Sequence, residues 1–160
     1  MIKKCLAITM GLMLATTAYA NEIEHFVGFG TSDGMSHNAD FQFEPNFRAG
    51  AVLNDNHRVT GTYAYATDSR VTNFFVSYDY MVNLSDTSNW QWLIGASGGH
   101  EFISHGDNDW TLGVQTGMRY GFNERFTGEV GYRVIDTWDN WQERNMSQLD
   151  SFYIVLDYKL

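Results

Sequence analysis

Five histidines, His25, His37, His57, His100 and His105, are the residues of this 160-residue chain best suited to moving protons near neutral pH. Two of them lie near a hydroxyl: ASGGHEF places Ser97 before His100, and SHGDND places Ser104 beside His105, with Asp107 and Asp109 following. A serine hydrolase needs hydroxyl, imidazole and carboxylate in one hydrogen-bonded line. Ser97 and His100 are an odd number of residues apart, so on a strand they face opposite ways. The second set falls in a loop with no frame to hold it. Asp107 and Asp109 could hold a divalent ion, but an acidic surface loop calls for no such role. The expectation is therefore no catalytic residue, no resident metal and no cofactor.

Charge placed inside regular elements offers more. Glu44, Asp79, Glu101, Glu129 and Asp157, together with Arg48, Arg119, Arg133 and Lys159, all fall on the face opposite the aromatic residues of their segments. Charges hidden from water must pair with opposite charges. If the Asn123-Glu124-Arg125 turn sets Phe122 opposite Phe126, then Arg119 stands directly across from Glu129, and an interior cross-strand ion pair is expected. Such a network reads either as a salt-bridged plug or as the lining of a narrow ion path, and the plug is the preferred reading.

The elements that would hold these residues show period two from end to end. In VTNFFVSYDYMVNL, Phe74, Val76, Tyr78, Tyr80, Val82 and Leu84 share one face while Phe75, Ser77, Asp79, Met81 and Asn83 take the other. The same alternation sets Trp90, Trp92, Ile94 and Phe102 against Gln91, Ser97 and Glu101, and Trp110, Leu112, Val114 and Phe122 against Gln115 and Arg119. Turn residues between the runs predict eight strands, near 22–31, 40–53, 58–67, 71–84, 90–102, 110–122, 126–137 and 151–160. NDNH, SDTSN and NER form short connections, whereas SDGMSHNA, SHGDND and WDNWQERNMSQLD form long ones at the opposite end. The prediction is an all-β fold, an eight-stranded antiparallel up-and-down transmembrane β-barrel, whose short turns face the periplasm and whose lumen is filled by side chains. Pro45, the single proline, is expected to make a bulge or local break facing lipid. The first strand is ambiguous, because Glu24, Phe26, Gly28 and Gly30 compete with Ile23, Val27 and Phe29 for the lipid face.

Trp90, Trp92, Phe122 and Phe126 flank short turns, and Phe102 and Trp110 flank a long loop, which predicts two aromatic girdles at the lipid interfaces. The long loop carries Trp138, Trp141, Arg144 and Met146, either an adhesive patch for an extracellular surface ligand or the upper ends of two continuing strands.

Composition sets the boundaries. Lys3 and Lys4, the apolar run from Leu6 to Thr16 and the Ala18-Tyr19-Ala20 site have the layout of a secretory signal, so residues 1–20 are expected to be removed, leaving residues 21–160 as one domain. Cys5 lacks a lipoprotein pattern and is lost with the signal, so no disulfide staples the mature chain. The mature chain keeps 8 basic residues against 19 acidic, a net charge near −11, which argues against nucleic acid as a partner. Mean hydropathy is −0.31, a value that also suits a barrel in which every second residue meets lipid.

GVQTGMRYGFNERFTGEVGYR, residues 113–133, resembles the strand-turn-strand of small OmpA/OmpX-type outer-membrane β-barrels, and FVGFG resembles the Gly-rich first strand of that group. The resemblance implies an eight-stranded barrel with both ends in the periplasm and a lumen closed by Arg and Glu pairs, carried here by Arg119, Glu129 and Arg133. It implies no OmpA-like peptidoglycan-binding domain, since the chain stops at strand eight. In SFYIVLDYKL the alternate residues Phe152, Ile154, Leu156, Tyr158 and Leu160 resemble the C-terminal signal read by the outer-membrane barrel assembly machinery, although Leu160 stands where Phe or Trp is usual. The expected partners are outer-membrane lipid, lipopolysaccharide and that machinery, and the expected state is a monomer. The expected role is structural or surface-interacting, with a small pore and a lipid A-modifying enzyme as the alternatives.

Overall fold

The computed structural model describes residues 22–35, 43–66, 71–85, 89–103, 109–137 and 149–160. The expectations placed on the secretory signal, on residues 104–108 and on the loop at 138–148 lie outside the described residues.

Eight antiparallel strands close on themselves: β1 (Ile23–Met35), β2 (Phe43–Leu53), β3 (His57–Ala66), β4 (Val71–Asn83), β5 (Trp90–Ile103), β6 (Asp109–Gly121), β7 (Phe126–Thr137) and β8 (Leu149–Lys159). Each pairs with its sequence neighbours, and β1 closes the ring against β8 from Phe26↔Lys159 to Met35↔Asp150. Closure leaves no sheet edge, so every strand finds backbone partners on both sides.

Local sequence sets the short turns. Asn54 and Asp55 take φ of 50° and 61°, a left-handed conformation that Asn and Asp tolerate better than most side chains. At the β6–β7 turn, Asn123 Oδ1 accepts hydrogen bonds from the backbone N–H of Arg125 at 2.8 Å and of Phe126 at 2.9 Å. That turn sets Arg119 opposite Glu129 and Met118 opposite Val130.

Of the two forms expected at Pro45, a bulge or a local break, the structure has the second. The β1–β2 register runs unbroken from Ile23↔Leu53 through Thr31↔Pro45 to Asp33↔Phe43, so there is no bulge. The β2–β3 ladder stops at Asn46↔Ala64, immediately before a residue that has no N–H to donate. The expected end of the first strand is corrected. The first strand continues to Met35, so Ser32–Met35 belong to the sheet and not to a loop. Backbone pairing with β2 and β8 carries it past the point where side-chain alternation fades.

The phase of β1 is also settled. Phe26 points inward and is 1% exposed, while Val27 and Phe29 stand on the outer surface. The outer surface is a continuous apolar band built from Phe47, Tyr63, Phe74, Tyr78, Ile94, Val114, Val130 and Ile154, among others.

Candidate functional site

The lumen is filled in layers. Nearest the short turns, Phe26, Val52, Met81 and Leu93 form a small apolar cluster. Above it lies an ion layer of two arginines and three carboxylates: Arg48, Arg58, Asp79, Glu129 and Asp157, all buried. Arg48 Nε donates to Asp157 Oδ1 at 2.7 Å and Arg48 Nη2 to Asp157 Oδ2 at 2.6 Å, while Nη1 and Nη2 reach Glu129 at 3.1 and 2.8 Å. Arg58 Nε donates to Asp79 Oδ2 at 3.0 Å and Nη2 to Glu129 Oε1 at 3.1 Å, and Nη1 also bonds Glu129 Oε2. Glu129 is thus gripped by two guanidinium forks at once. Each arginine in turn meets two carboxylates, the geometry that best offsets the cost of desolvating these charges.

Two glycines make this layer possible. Gly28 is the register partner of Arg48 on one side and of Asp157 on the other. A Cβ at Gly28 would overlap the Asp157 carboxylate and lie 3.0 Å from Arg48 Cγ, so only glycine lets β2 and β8 pair across β1. Gly95 does the same between Asp79 and Gln115, where a Cβ would overlap the Asp79 carboxylate that Gln115 Nε2 donates to.

Beyond Gln115 comes Arg133, whose Nε donates to Gln115 Oε1 at 2.7 Å. Its guanidinium lies between the rings of Phe75 at 5.5 Å and Tyr153 at 5.2 Å. Glu44 and Glu101 line the lumen at the long-loop end, around a cavity of about 90 Å³ that Arg133 also lines. At the short-turn end Lys159 Nζ pairs with Glu24 Oε2 at 2.8 Å. Arg119 donates to Gln91 Oε1 at 3.1 Å and approaches Glu24 at 3.8 Å.

The expected Arg119–Glu129 ion pair is therefore not formed, although the two residues are register partners. Arg48 and Arg58 reach Glu129 from the opposite wall and occupy both its oxygens, and Arg119 turns toward the short-turn mouth. Arg133 likewise makes no ion pair among the described residues; its charge rests on two aromatic faces. The sequence reading lacked Arg58 and Glu24. The outward Tyr63 and Tyr65 place Arg58 inside by alternation, and Phe29 on the outer face places Glu24 inside.

The aromatic residues Trp90, Trp92, Phe122 and Phe126 stand exposed on the outer surface beside the short turns, and Phe102 and Trp110 stand exposed at the other end. Trp92 Nε1 donates to Thr116 Oγ1 at 2.9 Å, which leaves its indole no unsatisfied donor on an apolar surface. On β8, Phe152, Ile154 and Leu156 point outward and Tyr158 is half-buried against Phe126; just past the strand's end Leu160 is exposed, and its N–H donates to His25 O at 2.9 Å. Ser97 faces the lumen, whereas His100 packs between Phe102 and Trp110 outside, so the strand wall separates them.

No protein-family model matches the sequence, and comparison with curated proteins gives no match. Solved structures do match. The N-terminal β-barrel domain of Pseudomonas aeruginosa OprF superposes with a TM-score of 0.70 at 10% identity, covering 86% of this chain and 97% of that one. OprH from P. aeruginosa gives 0.66 at 19% identity over 86% and 99% of the two chains. Neisserial surface protein A gives 0.55 at 16% identity over 86% and 95%. At these identities the likeness concerns architecture, and it agrees with the closed antiparallel ring described above. The chain has the fold of the small OmpA/OmpX-type eight-stranded outer-membrane barrels.

Proposed function

We propose that the protein is an outer-membrane barrel of a Gram-negative bacterium with a structural or surface-interacting role and a lumen closed to solutes. The observation that carries this reading is the ion layer. Five charged side chains from β2, β3, β4, β7 and β8 meet in the barrel's cross-section, with an apolar cluster beneath them. A barrel of eight strands has an interior only wide enough for side chains, and here the ion layer and the apolar cluster lie across it. The girdles and the outer apolar band support a membrane setting, with the short turns in the periplasm and the long connections outside.

On this reading residues 1–20 are removed during secretion, strand β8 carries the signal for the barrel assembly machinery, and lipid and lipopolysaccharide surround a monomer. The loops at the long-connection end are then the surface offered to an extracellular ligand. A catalytic role is not proposed, since the wall of β5 lies between Ser97 and His100. Cell fractionation tests the reading together with a detergent gel of heated and unheated samples. The expected result is outer-membrane recovery of a chain beginning at Asn21, with unheated protein migrating differently from boiled. Recovery in the soluble periplasmic fraction with identical mobilities would overturn it.

A further inference from the structure

From the ion layer to the long-connection end, the lumen is acidic. Its described inward side chains include three arginines, Arg48, Arg58 and Arg133, against five carboxylates, Glu44, Asp79, Glu101, Glu129 and Asp157, an excess of two negative charges. That balance holds however the carboxylates share their hydrogen bonds. It favours a cation in any space left between these residues.

Such a space exists. A cavity of about 90 Å³ lies above the ion layer, with Arg48 in its floor. Four side chains that line it, Asn46, Asn73, Thr111 and Tyr153, have oxygens buried without a hydrogen-bond partner. Asn46, Thr111 and Tyr153 are 4%, 2% and 5% exposed, so bulk water does not serve their oxygens. The two carboxamide oxygens can only accept, and the two hydroxyls accept as readily as they donate. Arg133 lines the same cavity without donating to any of the four; its Nε goes to Gln115, and its guanidinium is held between the rings of Phe75 and Tyr153. The chamber therefore lacks a donor with several N–H bonds. Register explains the room for one. Ala64 lies between Asn46 and Asn73, and Glu101 flanks Asn73 on its other side, so a short side chain separates two carboxamides beside a carboxylate.

We propose that this chamber binds a small primary alkylammonium ion, of methylammonium or ethylammonium size, whose N–H bonds are received by Asn46, Asn73 and Thr111. An –NH₃⁺ group carries three donors and no acceptor, the complement of a chamber whose unpartnered atoms are acceptors. The alkyl group has its own wall in Ala64, Ile135 and Val155. Size sets the limit: the volume corresponds to roughly three waters at about 30 Å³ each, room for about three heavy atoms. A metal ion suits these donors less well, because among the described residues no three His, Cys, Asp or Glu side chains gather to hold one. The ion layer closes the floor, so the ligand enters from the long-connection end and does not cross the barrel. The site requires the closed barrel alone, whatever its setting in the cell.

The test is NMR of the full barrel refolded in detergent micelles, following the Asn46 and Asn73 side-chain amides and the Thr111 backbone amide during titration with ethylammonium chloride. Sodium chloride and tetramethylammonium chloride at matched ionic strength are the comparison arms, the second carrying the same charge with no N–H. Ethylammonium is expected to give saturable shifts, and the other two salts only small linear ones. Thr111→Val keeps the size and removes one acceptor, and Asn46→Ala removes another. Each should weaken ethylammonium binding about tenfold, through loss of one hydrogen bond to a charged group, read on the Asn73 amide and the Thr111 amide respectively. Equal responses to ethylammonium and tetramethylammonium, no saturable response to ethylammonium, or an affinity unchanged in both folded variants would overturn the proposal.

Discussion

Replacing a glycine by alanine should have opposite effects at two positions of this barrel. Gly28 on β1 lies inside the lumen between Arg48 and Asp157, and an added methyl would overlap the Asp157 carboxylate. Relief requires Asp157 to leave Arg48, which removes two of the four hydrogen bonds of that arginine and strands a buried carboxylate. Breaking a buried ion pair from one side costs about 3–5 kcal/mol. Alanine regains about 0.5–1 kcal/mol of strand propensity and chain entropy, so Gly28→Ala should lose about 2–4 kcal/mol net. Gly61 on β3 faces outward, and the nearest atom to an added Cβ lies 3.8 Å away. Nothing there opposes the gain, and Gly61→Ala should stabilise by about 0.5–1 kcal/mol. Urea unfolding of both variants in the same lipid vesicles, followed by tryptophan fluorescence, measures the difference. In an Asp157→Ala background the penalty at position 28 should largely vanish, because the obstructing carboxylate is gone. A Gly28→Ala barrel as stable as the wild type, or a Gly61→Ala loss of equal size, would refute the steric account of the ion layer.

Two further outcomes follow from particular contacts. Double-mutant cycles should give a coupling of about 2–3 kcal/mol for Arg58 with Glu129 and under about 0.5 kcal/mol for Arg119 with Glu129, even though only the latter two are register partners; a larger coupling for Arg119 would contradict the observed pairing. If β8 is read by the assembly machinery, Leu160→Phe should raise the folded fraction recovered from outer membranes without moving the urea midpoint, since Leu160 projects from the barrel end; a changed midpoint with unchanged recovery would count against that role.

The barrel was legible in the sequence because outward aromatics mark the phase of most strands. Phe74, Tyr78 and Tyr80 settle β4, and Trp90, Trp92 and Ile94 settle β5. The first strand resisted because IEHFVGFGT places bulky apolar residues on both faces: Phe26 fills the lumen while Val27 and Phe29 meet the outside. Glu24 was lost with that ambiguity. Arg58 was missed for a different reason: it opens the strand expected over 58–67, and only Tyr63 and Tyr65 further along fix the alternation that turns it inward. Partner choice was the least legible layer. Alternation gives the face and register gives the height, but which residues meet across the lumen depends on which walls closure brings together. Arg48 finds Asp157 by passing over Gly28, and Arg58 finds Glu129 from four strands away, so neither pairing follows from nearest-strand neighbours.

The claim that the lumen is closed by the Arg48, Arg58, Asp79, Glu129 and Asp157 layer is tested most directly by the wild-type protein reconstituted in a planar lipid bilayer. The account predicts insertion without stepwise conductance. Stable unitary steps whose size changes on Glu129→Gln or Arg119→Ala would contradict it, because they would place a continuous water path where the structure places five paired charges.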